Sequence, residues 1–173
     1  MPRRKGISPV IATVIIVAVT IAVAIAVAFW MTGIIGLFTG AVEKLEIVSA
    51  TATATAIDEG SSGWKITVIA RNTGTTQTTI DSIFVNGILA YQWDSSSSEY
   101  TKASTAPDCL GDDVVITAGA EGTATVKPGE QITIEITMSS GSCGTFTASP
   151  GVSLEVKLHT TGGKEYPKLL TLP

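Results

Sequence analysis

Residues 3–44 read RRKGISPVIATVIIVAVTIAVAIAVAFWMTGIIGLFTGAVEK, and their composition sets them apart from the rest of the chain. Their basic start is followed by a run that has no charged residue between Lys5 and Glu43. Valine, isoleucine and alanine dominate this run on all sides of a helix, whereas the sequence after it is polar and rich in threonine, serine and glycine. The chain therefore combines a hydrophobic helix, assigned to residues 7–44, with a polar domain, assigned to residues 45–173.

The predicted helix is longer than a membrane requires. About 20 apolar residues span the hydrocarbon core of a bilayer, which is about 30 Å thick. A helix over residues 7–44 would measure about 57 Å at 1.5 Å per residue, and tilt absorbs only part of the excess. The basic residues at 3–5 predict a cytoplasmic N-terminus and an exported polar domain. We therefore expect the helix to need a second apolar environment, such as the core of a helical polymer.

Small side chains recur along this helix. Alanines follow one another at i, i+4 spacing, and Gly36 and Gly40 form a small-xxx-small pair near the end. Small residues let helix backbones approach closely, although glycine is also common in ordinary membrane helices. The candidate polymerisation residues are Val14, Ala18, Ala22, Ala26, Phe29, Gly36 and Gly40.

The beginning of the chain resembles the class III signal peptide of archaeal type IV pilins, in the archaeal pilin and archaellin superfamily. The resemblance is carried by RRKG followed by ISPVIAT in residues 3–13, and it covers the hydrophobic helix as well, about the first quarter of the chain. It implies that a prepilin peptidase removes residues 1–6 as a leader and leaves the helix in the mature subunit. The candidate processing residues are Arg4, Lys5, Gly6 and Ile7, with the cut after the glycine.

The resemblance also implies a function. Ile11 stands where bacterial type IV pilins usually carry a glutamate, which favours the archaeal branch and leaves assembly to apolar packing. The implied protein is a structural subunit of an extracellular pilus-like filament that serves adhesion. Its partners would be further copies of itself, the prepilin peptidase, the pilus assembly machinery and, before assembly, the cytoplasmic membrane. An archaellum subunit for motility and a membrane-anchored surface binding module are the alternatives.

The polar domain has the period of β-strands. Ala50–Ala56 alternates strictly between alanine and threonine, as a half-buried strand does. Asn86-Gly87 separates the apolar runs Ile80–Val85 and Ile88–Trp93, which predicts a hairpin. Similar signals along the chain predict seven to nine short strands. The expected fold class is α+β, with one long N-terminal helix followed by an antiparallel immunoglobulin-like β-sandwich.

Cys109 and Cys143 are the two cysteines of the chain. An even pair in an exported domain predicts one disulfide, and two buried free thiols are the alternative. Such a bridge would tether the loop at 94–113 to the loop at 139–144. Closing a loop of about 35 residues would stabilise the domain by about 3–4 kcal/mol in the chain-entropy model.

The remaining polar residues give little support for catalysis or ligand binding. The net charge of -4 argues against nucleic acid as a partner, because phosphate binding needs clustered basic residues. His159 is the only histidine and is expected at a strand end. Asp108, Asp112 and Asp113 are expected to be solvated loop acids rather than a cation site. We therefore expect no enzymatic activity, cofactor, metal or small-molecule substrate.

Overall fold

A computed structural model describes residues 8–38, 42–58, 61–118 and 123–173 of the chain. It divides into two compact units, the first ending at Gly40 and the second beginning at Ala41. A single helix makes up the described part of the first unit, and antiparallel strands make up the second. This arrangement confirms the predicted α+β fold class. We call the second unit the β-domain.

Helix α1 spans Pro9–Phe38. The carbonyl of Ser8 accepts hydrogen bonds from the backbone N–H groups of Ile11 (3.0 Å) and Ala12 (3.2 Å), so it closes the first turn. Proline is well tolerated there because the first helical N–H groups have no partner within the helix. The 30 residues of α1 measure about 45 Å at 1.5 Å per residue.

Twelve strands lie in the described part of the β-domain. The predicted count of seven to nine is too low, because several strands contain only two to four residues, too few for a period of two to be recognised. The strands are β1 (Leu45–Asp58), β2 (Ser61–Asn72), β3 (Thr78–Val85), β4 (Ile88–Asp94), β5 (Glu99–Lys102), β6 (Leu110–Ala118), β7 (Thr125–Val126), β8 (Gln131–Ser139), β9 (Gly141–Cys143), β10 (Phe146–Ala148), β11 (Ser153–Thr160) and β12 (Glu165–Thr171).

The strands form two main antiparallel sheets. The first has the order β1-β2-β8-β6, and the second has the order β12-β11-β3-β4-β5 with β7 paired to β3. Strands β9 and β10 form a small separate hairpin. The outermost strands of the two main sheets are therefore β1, β6, β12 and β5.

Alternate residues of the central strands build the core. Inward-facing side chains from both main sheets are completely or almost completely buried and belong to one hydrophobic cluster, as expected for a sandwich. The first sheet contributes Trp64, Ile66, Val68 and Ala70 from β2, and Ile132, Ile134 and Ile136 from β8. The second sheet contributes Leu154, Val156 and Leu158 from β11.

The hairpin predicted around Asn86-Gly87 joins β3 to β4. Both turn residues have positive φ, 47° for Asn86 and 78° for Gly87, as a type I′ turn requires. The Oδ1 atom of Asn86 also accepts a hydrogen bond of 2.9 Å from the backbone N–H of Glu155 in β11. The turn therefore bonds to the strand on the other side of β3.

A disulfide joins Cys109 to Cys143, whose Cα atoms lie 5.1 Å apart. Cys109 immediately precedes β6 and Cys143 ends β9, so the bridge ties the small β9–β10 hairpin to the edge of the first sheet. Both cysteines are buried. The segments that it connects correspond to the two loops expected from the sequence, although each of them contains a short strand.

Candidate functional site: the exposed apolar helix

Helix α1 exposes large apolar side chains on all sides. The exposed fraction is 62% for Val14, 75% for Phe29 and 68% for Trp30. Exposed apolar surface of this extent marks a surface that binds a membrane or another protein, because leaving it in water is unfavourable. The helix is therefore the candidate functional site of the chain.

The hydroxyl groups of the three threonines in α1 are satisfied within the helix. The hydroxyl groups of Thr13, Thr20 and Thr32 donate hydrogen bonds of 2.8–2.9 Å to backbone carbonyl groups three residues earlier. An apolar environment can supply no hydrogen-bond partner, so a helix that enters one must satisfy its polar groups internally. These threonines therefore do not oppose the transfer of α1 out of water.

The length and composition of α1 are sufficient to cross a membrane. The most hydrophobic part, Pro9–Ile35, contains 27 residues and no charged side chain. At 1.5 Å per residue it measures about 40 Å, compared with about 30 Å for the bilayer core. A membrane would therefore accommodate most of this segment, and an upright helix would extend beyond it.

The predicted polymerisation residues form a stripe along α1. The spacing of four residues from Val14 through Ala18 and Ala22 to Ala26, and then three to Phe29, keeps these side chains on one side of a helix. All five are exposed. Gly36 lies near the end of α1, whereas Gly40 and the predicted processing residues Arg4, Lys5, Gly6 and Ile7 lie outside the described residues.

Residues 42–44 belong to the β-domain rather than to the helix that was expected to continue to residue 44. The backbone N–H groups of Thr73 and Gly74 donate hydrogen bonds of 2.8 and 3.1 Å to the carbonyl of Lys44. The N–H of Thr75 donates to the carbonyl of Val42 (2.8 Å), and its hydroxyl accepts from the N–H of Val42 (3.0 Å). The loop after β2 therefore binds the segment that precedes β1.

Two glycines leave room for this segment. A Cβ atom on Gly74 would collide with the backbone of Val42 and Lys44, and one on Gly162 would collide with the carboxylate of Glu43. The Nζ atom of Lys164 also donates a hydrogen bond to the carbonyl of Glu43. No local pattern in the sequence indicates that these two glycines would receive residues 42–44.

His159 and Asp112 each contact one other titratable side chain at the surface of the β-domain. Nδ1 of His159 lies 2.6 Å from a carboxylate oxygen of Asp81, so the histidine pairs across the sheet from β11 to β3. Asp112 lies 3.1 Å from the Nζ atom of Lys102. Within the residues that the structure describes, no three histidine, cysteine or acidic side chains form a group that could hold a metal ion.

Comparison with known proteins finds solved structures that are similar to this chain but no matching sequence family. No family model matches the chain, and neither does any curated protein. The archaellum periplasmic stator protein FlaG from Sulfolobus acidocaldarius is similar over 74% of this chain and 99% of its own, with 14% identity and a TM-score of 0.42. The Iho670 flagellar-like filament is similar over 95% of this chain and 98% of its own, with 15% identity and a TM-score of 0.34. Similarity at this level does not transfer a function to the chain.

Proposed function

We propose that this chain is a structural subunit of an extracellular filament of the archaeal type IV pilus kind and that it polymerises through α1. The observation that carries the proposal is the exposure of apolar side chains on all sides of an uncharged helix of 30 residues. A helix with this surface needs an apolar environment around its whole circumference. The packed helices of other copies of the chain would provide that environment.

The length of α1 favours a polymer over a simple membrane anchor. A helix of about 20 mostly apolar residues is sufficient to anchor a protein, whereas α1 is 30 residues long and carries no charge. If α1 were an upright membrane anchor, about 15 Å of apolar helix would extend beyond the bilayer core. In a bundle of parallel helices the same excess contributes to packing, and the alanine stripe that includes Ala22 allows close approach.

The sequence at residues 3–13 supports the same proposal, because it resembles the processing site of archaeal pilins. In this account the precursor sits in the cytoplasmic membrane with its N-terminus inside, and a prepilin peptidase cuts after Gly6. The assembly machinery then moves α1 from lipid into the filament core. The β-domain would lie on the filament surface, where it serves adhesion and performs no enzymatic reaction.

A charge within α1 tests the proposal. Ala22→Glu places a carboxylate in the middle of the helix, where a bundle core offers neither water nor a basic partner. We expect filaments to disappear from the cell surface while the precursor remains in the membrane. Ala22→Ser is the matched control, because it keeps the side chain small and uncharged and should permit assembly. Normal filaments from the glutamate variant, seen by electron microscopy, would contradict a helix-packed core.

The role of the filament is tested separately. We expect cells that lack this protein to lose attachment to surfaces and to keep swimming. Loss of swimming with normal attachment would instead indicate an archaellum subunit. Neither effect, together with unpolymerised protein in the membrane fraction, would favour an anchored binding module.

A further inference from the structure

Three of the four edge strands in the two main sheets carry features that oppose pairing with another chain. Strand β5 has only four residues, and β12 contains Pro167 and Lys168. Strand β6 loses its regular register between Leu110 and Val114, where two aspartates lie. Short length, proline, charge and bulges are the means by which proteins protect the unpaired backbone groups of edge strands.

Strand β1 has none of these features over its central part. It contains 14 residues, and its pairing with β2 is regular from Ser49 to Ala56. No charged residue or proline occurs between Glu46 and Asp58. Within the described residues, β2 is the only element that forms backbone hydrogen bonds with β1. Strand β12 of the second sheet lies beside β1 but does not pair with it, so the donors and acceptors on the other edge of β1 are free.

The sequence of this free edge is complementary to itself. Residues 50–56 read ATATATA, which is the same in both directions with Thr53 at its centre. Antiparallel pairing about that residue places alanine opposite alanine and threonine opposite threonine throughout. The hydroxyl-bearing side chains at positions 51, 53 and 55 are exposed, and threonine pairs across neighbouring strands stabilise sheets.

We propose that the free edge of β1 pairs with the same edge in a second copy of this chain, antiparallel and about a two-fold axis at Thr53. The two four-stranded sheets would then form one continuous sheet of eight strands. Such a contact is isologous and closes on itself, whereas propagation of a filament needs heterologous contacts. If the proposed function holds, the contact therefore joins subunits of neighbouring filaments side by side.

Disulfide cross-linking of the full-length chain tests the pairing. The native cysteines are bonded to each other, so a cysteine introduced by Thr53→Cys is the only free thiol. Two residues at the symmetry axis face each other directly, so mild oxidation should yield a covalent dimer on a non-reducing gel. Thr101→Cys is the matched control, because Thr101 is also exposed on an edge strand but lies in the four-residue β5, at the end of the second sheet opposite to β12. We expect much more dimer from the Thr53 variant.

A mixture of two variants tests the register. Antiparallel pairing about Thr53 places residue 51 opposite residue 55, so Thr51→Cys mixed with Thr55→Cys should form mainly the mixed dimer. Equal amounts of mixed and like dimers would overturn the proposed register. Dimer yields that match the Thr101→Cys control, both in detergent and in filament preparations, would overturn the proposal itself.

Exchanging the charge at position 53 tests the β1–β1 pairing independently. Thr53→Lys and Thr53→Glu each place like charges opposite each other at the axis, which opposes pairing, whereas a mixture of the two places opposite charges there. We expect dimers, measured by light scattering, to be lost from each variant alone and restored in the mixture. No restoration in a mixture of folded variants would contradict the contact.

Electron microscopy distinguishes failure of this contact from failure of the proposed function. Single, unbundled filaments of the Thr53→Lys variant would support both proposals. The absence of any filament from the wild-type protein would contradict only the proposed function.

Discussion

Tyr91 links the two sheets of the β-domain through a single hydroxyl group. The residue lies in β4 of the second sheet, is buried, and donates a hydrogen bond of 2.7 Å to the carbonyl of Gly111 in β6 of the first sheet. Tyr166 provides a contrast, since its buried hydroxyl oxygen has no hydrogen-bond partner. The same chemical group therefore has opposite consequences for stability at the two positions.

Removal of the two hydroxyl groups separates these effects. Tyr91→Phe leaves the carbonyl of Gly111 without its partner, and we expect it to lower the unfolding free energy by about 1–2 kcal/mol. Tyr166→Phe removes a group that is buried without a hydrogen bond, so it should be neutral or stabilising. Urea unfolding of the two variants and the wild type measures the difference. Equal losses in both variants would contradict the assigned role of the Tyr91 hydroxyl.

The buried tyrosines also predict how stability depends on pH. Burial raises the pKa of Tyr91 and the pKa of Tyr100 above the ordinary value of 10.0. The unfolded chain then releases these protons at a lower pH than the folded chain does. The unfolding free energy should therefore fall as pH rises above 10.0, by up to about 1.4 kcal/mol per pH unit for each tyrosine.

The contribution of one tyrosine can be isolated. Unfolding free energies measured at about pH 9 and about pH 11 should differ less in Tyr91→Phe than in the wild type, because one of the two shifted groups is absent. Lysines titrate in the same range but are unchanged in the variant, so they do not affect the comparison. Identical pH dependence in the two proteins would contradict the raised pKa of Tyr91.

Among the elements, those specified by local sequence could be predicted and those specified by distant contacts could not. The β3–β4 hairpin followed from Asn86-Gly87, because a two-residue turn depends on neighbouring residues. The end of the helical unit was placed too far along the chain. The loop at 73–75 holds residues 42–44 to the β-domain by hydrogen bonds, and it lies about thirty residues further along the chain. A local sequence pattern does not reveal such a distant contact.

The loop at 73–75 makes a prediction of its own. Gly74→Ala places a methyl group against the backbone of Val42 and Lys44, so we expect it to displace residues 42–44 and to destabilise the β-domain by about 1–3 kcal/mol. The carbonyl of Lys44 would lose its two hydrogen bonds, which should expose the following peptide bond to trypsin. Limited proteolysis with N-terminal sequencing of the fragments measures this effect. Unchanged cleavage after Lys44 would contradict the binding of this segment by the loop.

For the molecule as a whole, the sequence predicts which residues share a face of α1, whereas it does not predict the unpaired edge of the β-domain. The stripe from Val14 to Phe29 could be read from spacing alone, because a helix repeats its faces regularly. The free edge of β1 could not, because the sequence does not give the order of strands in a sheet. ATATATA predicts a strand in any position, and only the topology shows that its outer edge is unpaired.

In the proposed filament, α1 is retained in the mature chain and packs in the core. N-terminal sequencing of this protein in filaments sheared from cells is the direct test of this arrangement. We predict a mature chain that begins at Ile7, because cleavage after Gly6 removes the basic leader and leaves the whole of α1 for assembly. A full-length chain retained in the membrane fraction, with none in sheared filaments, would contradict the account.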